Sequence, residues 1–249
     1  MLNYIAVIIC AAGLSKRMGG VKKEFLPLES NPSGKENLTV LGAAVKAFAS
    51  SARVGPIIIT LPPETTNGEE YLPLELRPGR DSRIFFCSGG KSRRSSVHKA
   101  LLFLESLENL GRSFTVSHVL IHDGARPWVN KTLIEHVIDA AITHNAVIPA
   151  LPLLETPKEV VGELSKSLAG ETVFIKKHLK RAALCTAQTP QGFAFPQILR
   201  VQEKAEARER AENFEYTDDA EVWGEFVGPV AVIPGHPENK KITFPEDIF

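Results

Sequence analysis

The strongest constraint on the fold of this chain is the alternation of short apolar runs with longer amphipathic stretches. Residues 5–10 form a β-rich run, and residues 56–61 contain three consecutive isoleucines, as a strand buried on both faces would. Residues 95–107 place Val97, Ala100 and Leu104 on one side of a helix. Strands that alternate with helices predict an α/β fold with a mostly parallel sheet and helices on both of its faces.

The same pattern divides most of the chain into elements. The predicted strands are residues 5–10, 56–61, 83–88, 116–122, 146–150, 230–233 and 239–243. The predicted helices are residues 38–50, 95–107, a stretch from the N-cap Asn130 to about residue 144, residues 196–213, and a helix that residues 217–219 open. Residues 29–37 are polar and predict a surface loop.

Residues 151–187 depart from this alternation. They combine a short β-like piece at residues 172–175 with four cationic side chains between residues 176 and 181. A chain of 249 residues is long enough for one large α/β domain with a substantial core. We therefore expect a single domain over residues 1–249, from which about residues 151–187 project as an arm.

Charge and cysteine content restrict the partners and the location. Lys and Arg together number 29 and balance 29 Asp and Glu, and this zero net charge argues against a protein that coats nucleic acid. The three cysteines are widely separated and form no CxxC, as expected in a reducing compartment. The longest apolar run, residues 4–14, is too short to cross a bilayer as a helix. We expect a cytoplasmic protein with neither nucleic acid nor membrane as a partner.

Three loops at predicted strand ends concentrate glycine and cationic residues. Residues 11–26 hold three glycines and four cationic side chains, residues 88–97 read SGGKSRRSSV, and residues 122–127 read HDGARP. Ligands of parallel sheets bind at the carboxyl ends of the strands, and these residue types suit phosphate. The spacing fits neither a P-loop nor the dinucleotide fingerprint. Taken alone, each loop also allows a structural interpretation: a solvated basic turn, a well-capped helix and an Asp–Arg pair.

Six ordered motifs carry a more specific signal. They are AAG…RM…KEFL in residues 11–26, GGKSRRSSV in 89–97, HDGARP in 122–127, TPQGF in 189–193, TDDA in 217–220 and NKKIT in 239–243. Together they resemble the 2-C-methyl-D-erythritol 4-phosphate cytidylyltransferases, the IspD family. The resemblance runs from about residue 5 to residue 247. It implies a Rossmann-like nucleotidyltransferase fold (GT-A-like), a three-layer sandwich with a projecting dimerisation arm, and hence a homodimer.

The resemblance also implies roles for single residues. Arg17 and Lys23 match the catalytic pair that holds the CTP triphosphate and stabilises charge at the α-phosphorus. The matched nucleotide-binding positions are Ala11, Ala12, Gly13, Arg17, Lys23, Gly90, Ser96 and Asp123. The matched positions that bind the sugar-alcohol phosphate are Arg126, Thr156, Arg181 and Lys241. Of these, Thr156 and Arg181 belong to the arm that in the family reaches across the dimer.

The resemblance implies a reaction that transfers CMP from CTP to 2-C-methyl-D-erythritol 4-phosphate and releases pyrophosphate. This reaction explains why no catalytic base stands out. The attacking phosphate oxygen is already anionic, so catalysis depends on positioning two anions and neutralising the charge that develops. Because the reactants repel each other, we expect Mg²⁺ or another divalent cation to bridge the triphosphate oxygens. Asp123 is the one protein ligand that we predict for that metal.

Some positions depart from the family pattern. Ser15 stands where a glycine is usual, Lys22 where a proline is usual, and Lys91 where an acidic residue is common. Residues 155–158 read ETPK in place of DTxK. Two alternatives stay open: a cytidylyltransferase for another polyol phosphate such as ribitol 5-phosphate, and a nucleotide-binding module without catalysis.

Other pairs of polar residues are best interpreted as structural. His118 and His122 are four apart in a predicted strand, where that spacing separates side chains by about 13 Å. They are therefore not expected to bind zinc together. Asp218 and Asp219 are expected at a helix N-terminus, with a catalytic carboxylate pair as the less favoured alternative.

Overall fold

The computed structural model describes residues 3–13, 15, 18–28, 38–65, 67–110, 115–164, 169–212 and 214–248. In these ranges the strands are β1 (Asn3–Cys10), β2 (Val54–Leu61), β3 (Ile84–Ser88), β4 (Thr115–Asp123), β5 (Ala146–Pro152), β6 (Lys158–Val160), β7 (Ile175–His178), β8 (Cys185–Ala187), β9 (Gln191–Ala194) and β10 (Ala231–Pro234). The helices are α1 (Val40–Ala49), α2 (Arg93–Asn109), α3 (Lys131–His144), α4 (Gln197–Glu212) and α5 (Asp219–Phe226).

The main sheet has the strand order β10-β5-β9-β4-β1-β2-β3, and β8 also pairs with β5. The strand β1 is central and runs parallel to both β2 and β4. The late strand β9 lies between β4 and β5 and is antiparallel to both of them. The predicted α/β fold with a mostly parallel sheet is confirmed.

Side chains of each central strand alternate between two apolar cores. In β1, Val7 and Ile9 face the core that α1 and α3 cover, whereas Ile8 faces the core that α2, α4 and α5 cover. Alternation of this kind is the period-2 geometry of a strand, here with both faces buried. The result is the predicted three-layer arrangement of helices, sheet and helices.

Local sequence signals explain where several helices begin. Asn130 accepts a hydrogen bond from Leu133 N as the N-cap of α3, and Asp218 does the same for α5 through Glu221 N. At α2 the side chain of Ser92 accepts from Ser95 N in a capping box, so the helix begins at Arg93, two residues before its predicted start.

Two short strand predictions differ from the structure. Residues 239–243 were expected to form a strand and instead lie as an irregular segment, because their hydrogen bonds go to loop residues and not to a neighbouring strand. The β-like piece predicted at residues 172–175 lies further on, as β7 begins at Ile175. The surface loop predicted at residues 29–37 lies outside the described residues.

The segment predicted as an arm carries its own small sheet. The strands β6 and β7 pair only with each other among the described strands, in antiparallel register. Large apolar side chains around them face solvent: Leu154 is 82% exposed and Phe174 is 71% exposed. No described helix combines the length and apolar composition that crossing a membrane requires.

Candidate active site

A cavity of about 950 Å³ lies at the carboxyl ends of β1, β2, β3 and β4. Its walls come from the loops after those strands and from the irregular segment 239–243. Predicted site residues that line it are Ala12, Gly13, Lys23, Gly90, Ser96, Asp123 and Lys241. Predicted positions from separate parts of the sequence thus converge on one space.

The first loop leaves β1 with its backbone tied to β2. Ala11 N donates to Thr60 O at 3.1 Å, and Ala11 is fully buried, so it supports the loop without lining the cavity. Ser15 adopts a φ of +48°, a left-handed conformation that glycine takes at lower cost. This backbone accounts for the glycine that is usual there. Arg17, the other predicted catalytic cation, lies outside the described residues.

Lys23 stands in a short 3₁₀ turn on the cavity wall and is only 8% exposed. Its neighbour Glu24 is buried too, and burial raises the pKa of the Glu24 carboxyl. Lys22 is turned to the loop itself: its Nζ donates to Gly13 O at 3.1 Å and lies 3.6 Å from Glu64 Oε1. Lys22 therefore braces the loop where the family usually has proline.

The second loop depends on two glycines. A Cβ on Gly89 would lie 2.2 Å from the Cβ of Ala12, so only glycine lets the first and second loops touch. Gly90 N donates to Ser96 Oγ at 2.9 Å, and Ser96 Oγ donates to Ser92 O at 2.8 Å. The turn is thereby fixed on the first turn of α2, with Gly90 and Ser96 side by side in the cavity wall.

The third loop places a buried carboxylate among three cations. Lys241 Nζ lies 2.9 Å from Asp123 Oδ2, Arg93 Nε lies 3.2 Å from Oδ1, and Arg126 Nε lies 3.5 Å from Oδ2. Burial alone would raise the pKa of Asp123, but Arg93, Lys241 and Arg126 hold that pKa well below its usual range. Asp123 is therefore ionised in the folded protein.

A buried hydrogen-bond chain supports this loop from behind. Asp123 N donates to Thr189 Oγ1 at 3.0 Å, and Thr189 Oγ1 lies 3.1 Å from His122 Nδ1. His122 Nε2 faces the carbonyl of Arg126 at 3.1 Å and must carry the proton, since a carbonyl only accepts. Burial lowers the pKa of His122 to about 4, so the ring is neutral and Nδ1 accepts from Thr189. The interpretation of His122 as structural is confirmed.

The segment 239–243 is tied to the same loop by single hydrogen bonds. Asn239 Nδ2 donates to Thr189 O, Arg126 Nη1 donates to Asn239 O, and Ile242 N donates to Ala125 O, at 2.8, 2.8 and 2.9 Å. These contacts bring Lys241 to the cavity without any strand pairing. The Nη1 of Arg126 is engaged in this tether, its Nε lies 3.5 Å from Asp123 Oδ2, and Arg126 does not line the cavity.

The two arm residues lie apart from the cavity of their own chain. Thr156 and Arg181 are both exposed, and neither lines the cavity. Arg181 is tied to the arm near Thr156, because its Nη1 donates to Leu154 O at 2.5 Å. Within one chain, therefore, the structure does not join the arm residues to the other predicted site residues.

Sequence reasoning missed Arg93, which lines the cavity and contacts two carboxylates. Arg93 lies in the GGKSRRSSV motif, but the motif alone does not reveal its role, because its partner Asp219 is 126 positions away. Asp219 is buried beside Arg93, whereas Asp218 caps α5, so the two acidic residues do not form a carboxylate pair facing the cavity.

The side chains of the cavity suit a metal ion that is bound mainly by substrate phosphates and only weakly by the protein. Among the described residues, no cluster of three or more His, Cys, Asp or Glu side chains could hold a metal ion. Asp123 offers one ionised carboxylate on the cavity wall, with Arg93 at its Oδ1 and Lys241 and Arg126 at its Oδ2, so a metal ion there would have to take the place of one of these cations. Mg²⁺ typically binds one or two carboxylates together with substrate phosphates and water, and this arrangement fits that preference.

Comparisons with known proteins agree with this geometry. The profile of the family described as "IspD: 2-C-methyl-D-erythritol 4-phosphate cytidylyltransferase" matches residues 5–249. A protein of that name from Geobacillus thermodenitrificans is 32% identical, and the match covers 100% of this chain and 95% of the relative. A bifunctional enzyme IspD/IspF from Chelativorans sp. is 34% identical, and there the chain spans 53% of the relative's length.

Solved structures give the same result. The crystal structure of 2-C-methyl-D-erythritol 4-phosphate cytidylyltransferase from Thermus thermophilus superposes with a TM-score of 0.67 at 28% identity. That superposition covers 98% of this chain and 95% of the other. The Francisella tularensis protein, at 24% identity and a TM-score of 0.73, shares the fold, with 99% of this chain and 97% of the other covered. This chain belongs to the 2-C-methyl-D-erythritol 4-phosphate cytidylyltransferase (IspD) family.

Proposed function

We propose that this chain transfers CMP from CTP to 2-C-methyl-D-erythritol 4-phosphate and releases pyrophosphate, a step of isoprenoid precursor synthesis. The matching family and the relative from Geobacillus thermodenitrificans are named 2-C-methyl-D-erythritol 4-phosphate cytidylyltransferase. The observation in this chain that carries the proposal is the convergence of Lys23, Lys241 and Arg93 with the Gly90–Ser96 turn on one cavity. Such a cavity suits a triphosphate and a nucleoside together.

The reaction balances without a protein base. A phosphate oxygen of the sugar phosphate attacks the α-phosphorus of CTP and forms the new P–O bond. The bond to the bridging oxygen breaks, and pyrophosphate leaves with that electron pair. Lys23 stabilises the charge that grows on the phosphoryl oxygens, because a largely buried ammonium acts more strongly there than in water. Arg17 is proposed to act with it.

The remaining residues bind and orient. Gly90 and Ser96 are proposed to contact the cytosine and ribose, in a turn that is already fixed before ligand arrives. Ala12 and Gly13 border the phosphates, with Ala11 behind them. Mg²⁺, when bound, would neutralise the triphosphate, and Asp123 is the residue that would hold it. Lys241 is proposed to hold the phosphate of the second substrate.

The arm is proposed to complete the site across a homodimer. Thr156 and Arg181 are exposed, and the apolar side chains around them need a partner surface. In this arrangement Arg181 of one protomer contacts the sugar phosphate in the other, and Arg126 holds the loop that faces it. The described cysteines are free thiols, which supports a site of action in the cytoplasm.

The test is pyrophosphate release by the purified protein with CTP and Mg²⁺, comparing 2-C-methyl-D-erythritol 4-phosphate with ribitol 5-phosphate. We expect release with the first substrate and formation of its CDP-linked product, visible by ³¹P NMR. Release with ribitol 5-phosphate and not with 2-C-methyl-D-erythritol 4-phosphate would show that the protein is a cytidylyltransferase for a different polyol phosphate. Binding of CTP without release with either substrate would favour a module without catalysis.

A further inference from the structure

Arg93 bridges two buried carboxylates that belong to different elements. It is the first residue of α2, and its Nε lies 3.2 Å from Oδ1 of Asp123 at the end of β4. Its Nη1 lies 2.6 Å from Oδ2 of Asp219, the first residue of α5. Asp219 is 1% exposed and does not line the cavity, whereas Arg93 and Asp123 do. One guanidinium thus connects the cavity wall to the helix layer behind it.

The helix side of this bridge is held rigidly. Gln202 Nε2 on α4 donates to Asp219 Oδ1 at 3.0 Å, so both oxygens of Asp219 have a fixed partner. The neighbouring Asp218 caps α5 and also accepts from Gln191 Nε2 at 2.9 Å. Arg93 is therefore anchored to a carboxylate whose own position is set by α4 and the start of α5.

On the cavity side of the bridge, the two carboxylate oxygens of Asp123 contact different cations. Arg93 takes Oδ1, and Lys241 and Arg126 lie at Oδ2. Arg93 contacts the two carboxylates through different nitrogens of one planar fork, a fixed spacing that the single ammonium of a lysine does not provide. Without Arg93, Asp123 and Asp219 would be two buried carboxylates with no cation between them, which is costly.

Helix capping does not explain Arg93. The N-terminus of α2 is capped by Ser92 and Ser95, whose side chains and backbones bond to each other. The next residue, Arg94, offers a direct comparison: it is buried and pairs with Glu209 at 2.5 Å, but it does not line the cavity. Two adjacent arginines thus serve different partners.

We propose that Arg93 is a positioning residue of this active site: anchored on Asp219, it fixes the rotation of the Asp123 carboxylate so that Oδ2 faces Lys241. Its effect on the reaction is exerted through Asp123. The expected effect on kcat rests on the proposed cytidylyl transfer. The expected effect on the orientation of the Asp123 carboxylate rests on the side-chain geometry alone.

The structural test is a crystal structure of the Arg93→Gln variant beside that of the wild type. We expect the Asp123 carboxylate to rotate and its Oδ2 to lose the contact with Lys241 Nζ. An unchanged contact would overturn the proposal whether or not the protein is active. If Arg93→Gln does not fold, Asp219→Asn removes the anchor charge at nearly constant volume, and we expect it to move Asp123 in the same way.

The kinetic test is a double-mutant cycle with Asp123→Asn, measured by pyrophosphate release. Arg93→Gln is expected to lower kcat by about tenfold or more, with less than about threefold change in the KM for CTP. In the Asp123→Asn background, Arg93→Gln should lower kcat by less than about twofold, because the carboxylate through which Arg93 acts is already absent. Independent, multiplying effects of the two changes would show that Arg93 acts directly on substrate and would overturn the proposal.

Two controls separate positioning from stability and from the proposed function. Arg83→Gln breaks the partly buried pair with Asp81, away from this cavity, and it should lower the melting temperature while leaving kcat within about twofold of the wild type. Arg93→Lys keeps the charge but cannot bridge, so its kcat should fall short of the wild type. A wild type that releases no pyrophosphate would refute the proposed function, and the crystallographic comparison would still decide the role of Arg93.

Discussion

Single side chains at this site divide into those that face the cavity and those that hold them in place. Lys23 and Lys241 are on the wall, whereas Arg126 and Asp219 lie behind it. The division shows in the contacts, since Arg126 Nη1 donates to the backbone carbonyl of Asn239 and Asp219 is bound to Arg93 and Gln202. Loss of a wall residue should change turnover, and loss of a supporting residue should first change stability.

We expect Lys23→Ala to lower kcat by roughly tenfold or more while the protein stays folded, because a cation facing the reacting phosphate is lost. Steady-state pyrophosphate release measures this, with circular dichroism as the check on folding. The control is Lys204→Ala, an exposed lysine on α4 away from this cavity. Near-normal turnover of the Lys23 variant would exclude a catalytic role for that lysine.

The partly buried thiol of Cys87 predicts a loss of stability in alkali. Burial raises its pKa from 9.0 to about 11, so the folded state retains a proton that the unfolded state has lost between these values. The contribution is present in full below the unfolded pKa of 9.0 and disappears as the pH rises through about 11. We expect the free energy of unfolding in urea to fall less steeply above this unfolded pKa in Cys87→Ala than in the wild type.

The exposed Cys185 supplies the control for that measurement. Cys185→Ala should keep the slope of the wild type. Identical slopes in all three proteins would show that the environment of Cys87 does not disfavour its thiolate.

Residue-scale prediction from the sequence was uneven for a physical reason. Lys23, Gly90, Ser96 and Asp123 lie within motifs at strand ends, where the parallel sheet itself brings them together. Arg93 also lies within such a motif, but its role was not assigned, because that role depends on a contact with Asp219 on a helix far along the chain. The substrate-binding role of Arg126 stays a prediction, whereas its hydrogen bond to Asn239 depends on a backbone path that no local pattern reveals.

At the scale of elements, the site depends on how three loops and one irregular segment are tied together. Thr189, in the turn before β9, contacts Asp123 and His122 at the end of β4. Through its carbonyl it also accepts from Asn239, which belongs to the segment that carries Lys241. Long apolar strands and capped helices were predictable from periodicity. The segment 239–243 was not, because its bonds are to loops and leave no alternation in the sequence.

We expect Thr189→Val to destabilise the protein by about 1–3 kcal/mol, because the Asp123 amide and the His122 ring each lose a buried partner. Urea unfolding measures the change. Thr143→Val removes an exposed hydroxyl that donates to Asp139 O within α3, and it should cost less than about 0.5 kcal/mol. Equal effects of the two substitutions would contradict the supporting role of Thr189.

At the scale of the whole molecule, the arm exposes apolar side chains that its own chain does not cover. Leu154, Phe174 and Ile175 are exposed together around β6 and β7. Apolar patches of this kind mark interaction surfaces. A second copy of the chain is the partner that the proposed function requires, since Thr156 and Arg181 do not reach the cavity of their own protomer.

We expect the wild type to sediment as a dimer and Phe174→Glu to shift it toward monomer, because a charge would be buried in the contact. The same change should raise the KM for the sugar phosphate. Leu110→Glu, at a similarly exposed leucine after α2, should leave the dimer intact. A wild type that sediments as a monomer at assay concentrations would refute the proposed assembly.

The place of β9 in the sheet has a consequence for how the chain is made. Every described strand that pairs with β5 follows it in sequence, whereas β1, β2, β3 and β4 pair among themselves. During synthesis β1 to β4 can therefore pair while β5, and the edge of β4 that will pair with β9, still lack their partners. At about 5–20 residues per second, β5 waits for seconds before residues 191–194 are made. During that interval the unpaired edges of β4 and β5 can pair with another chain, which is a route to aggregation.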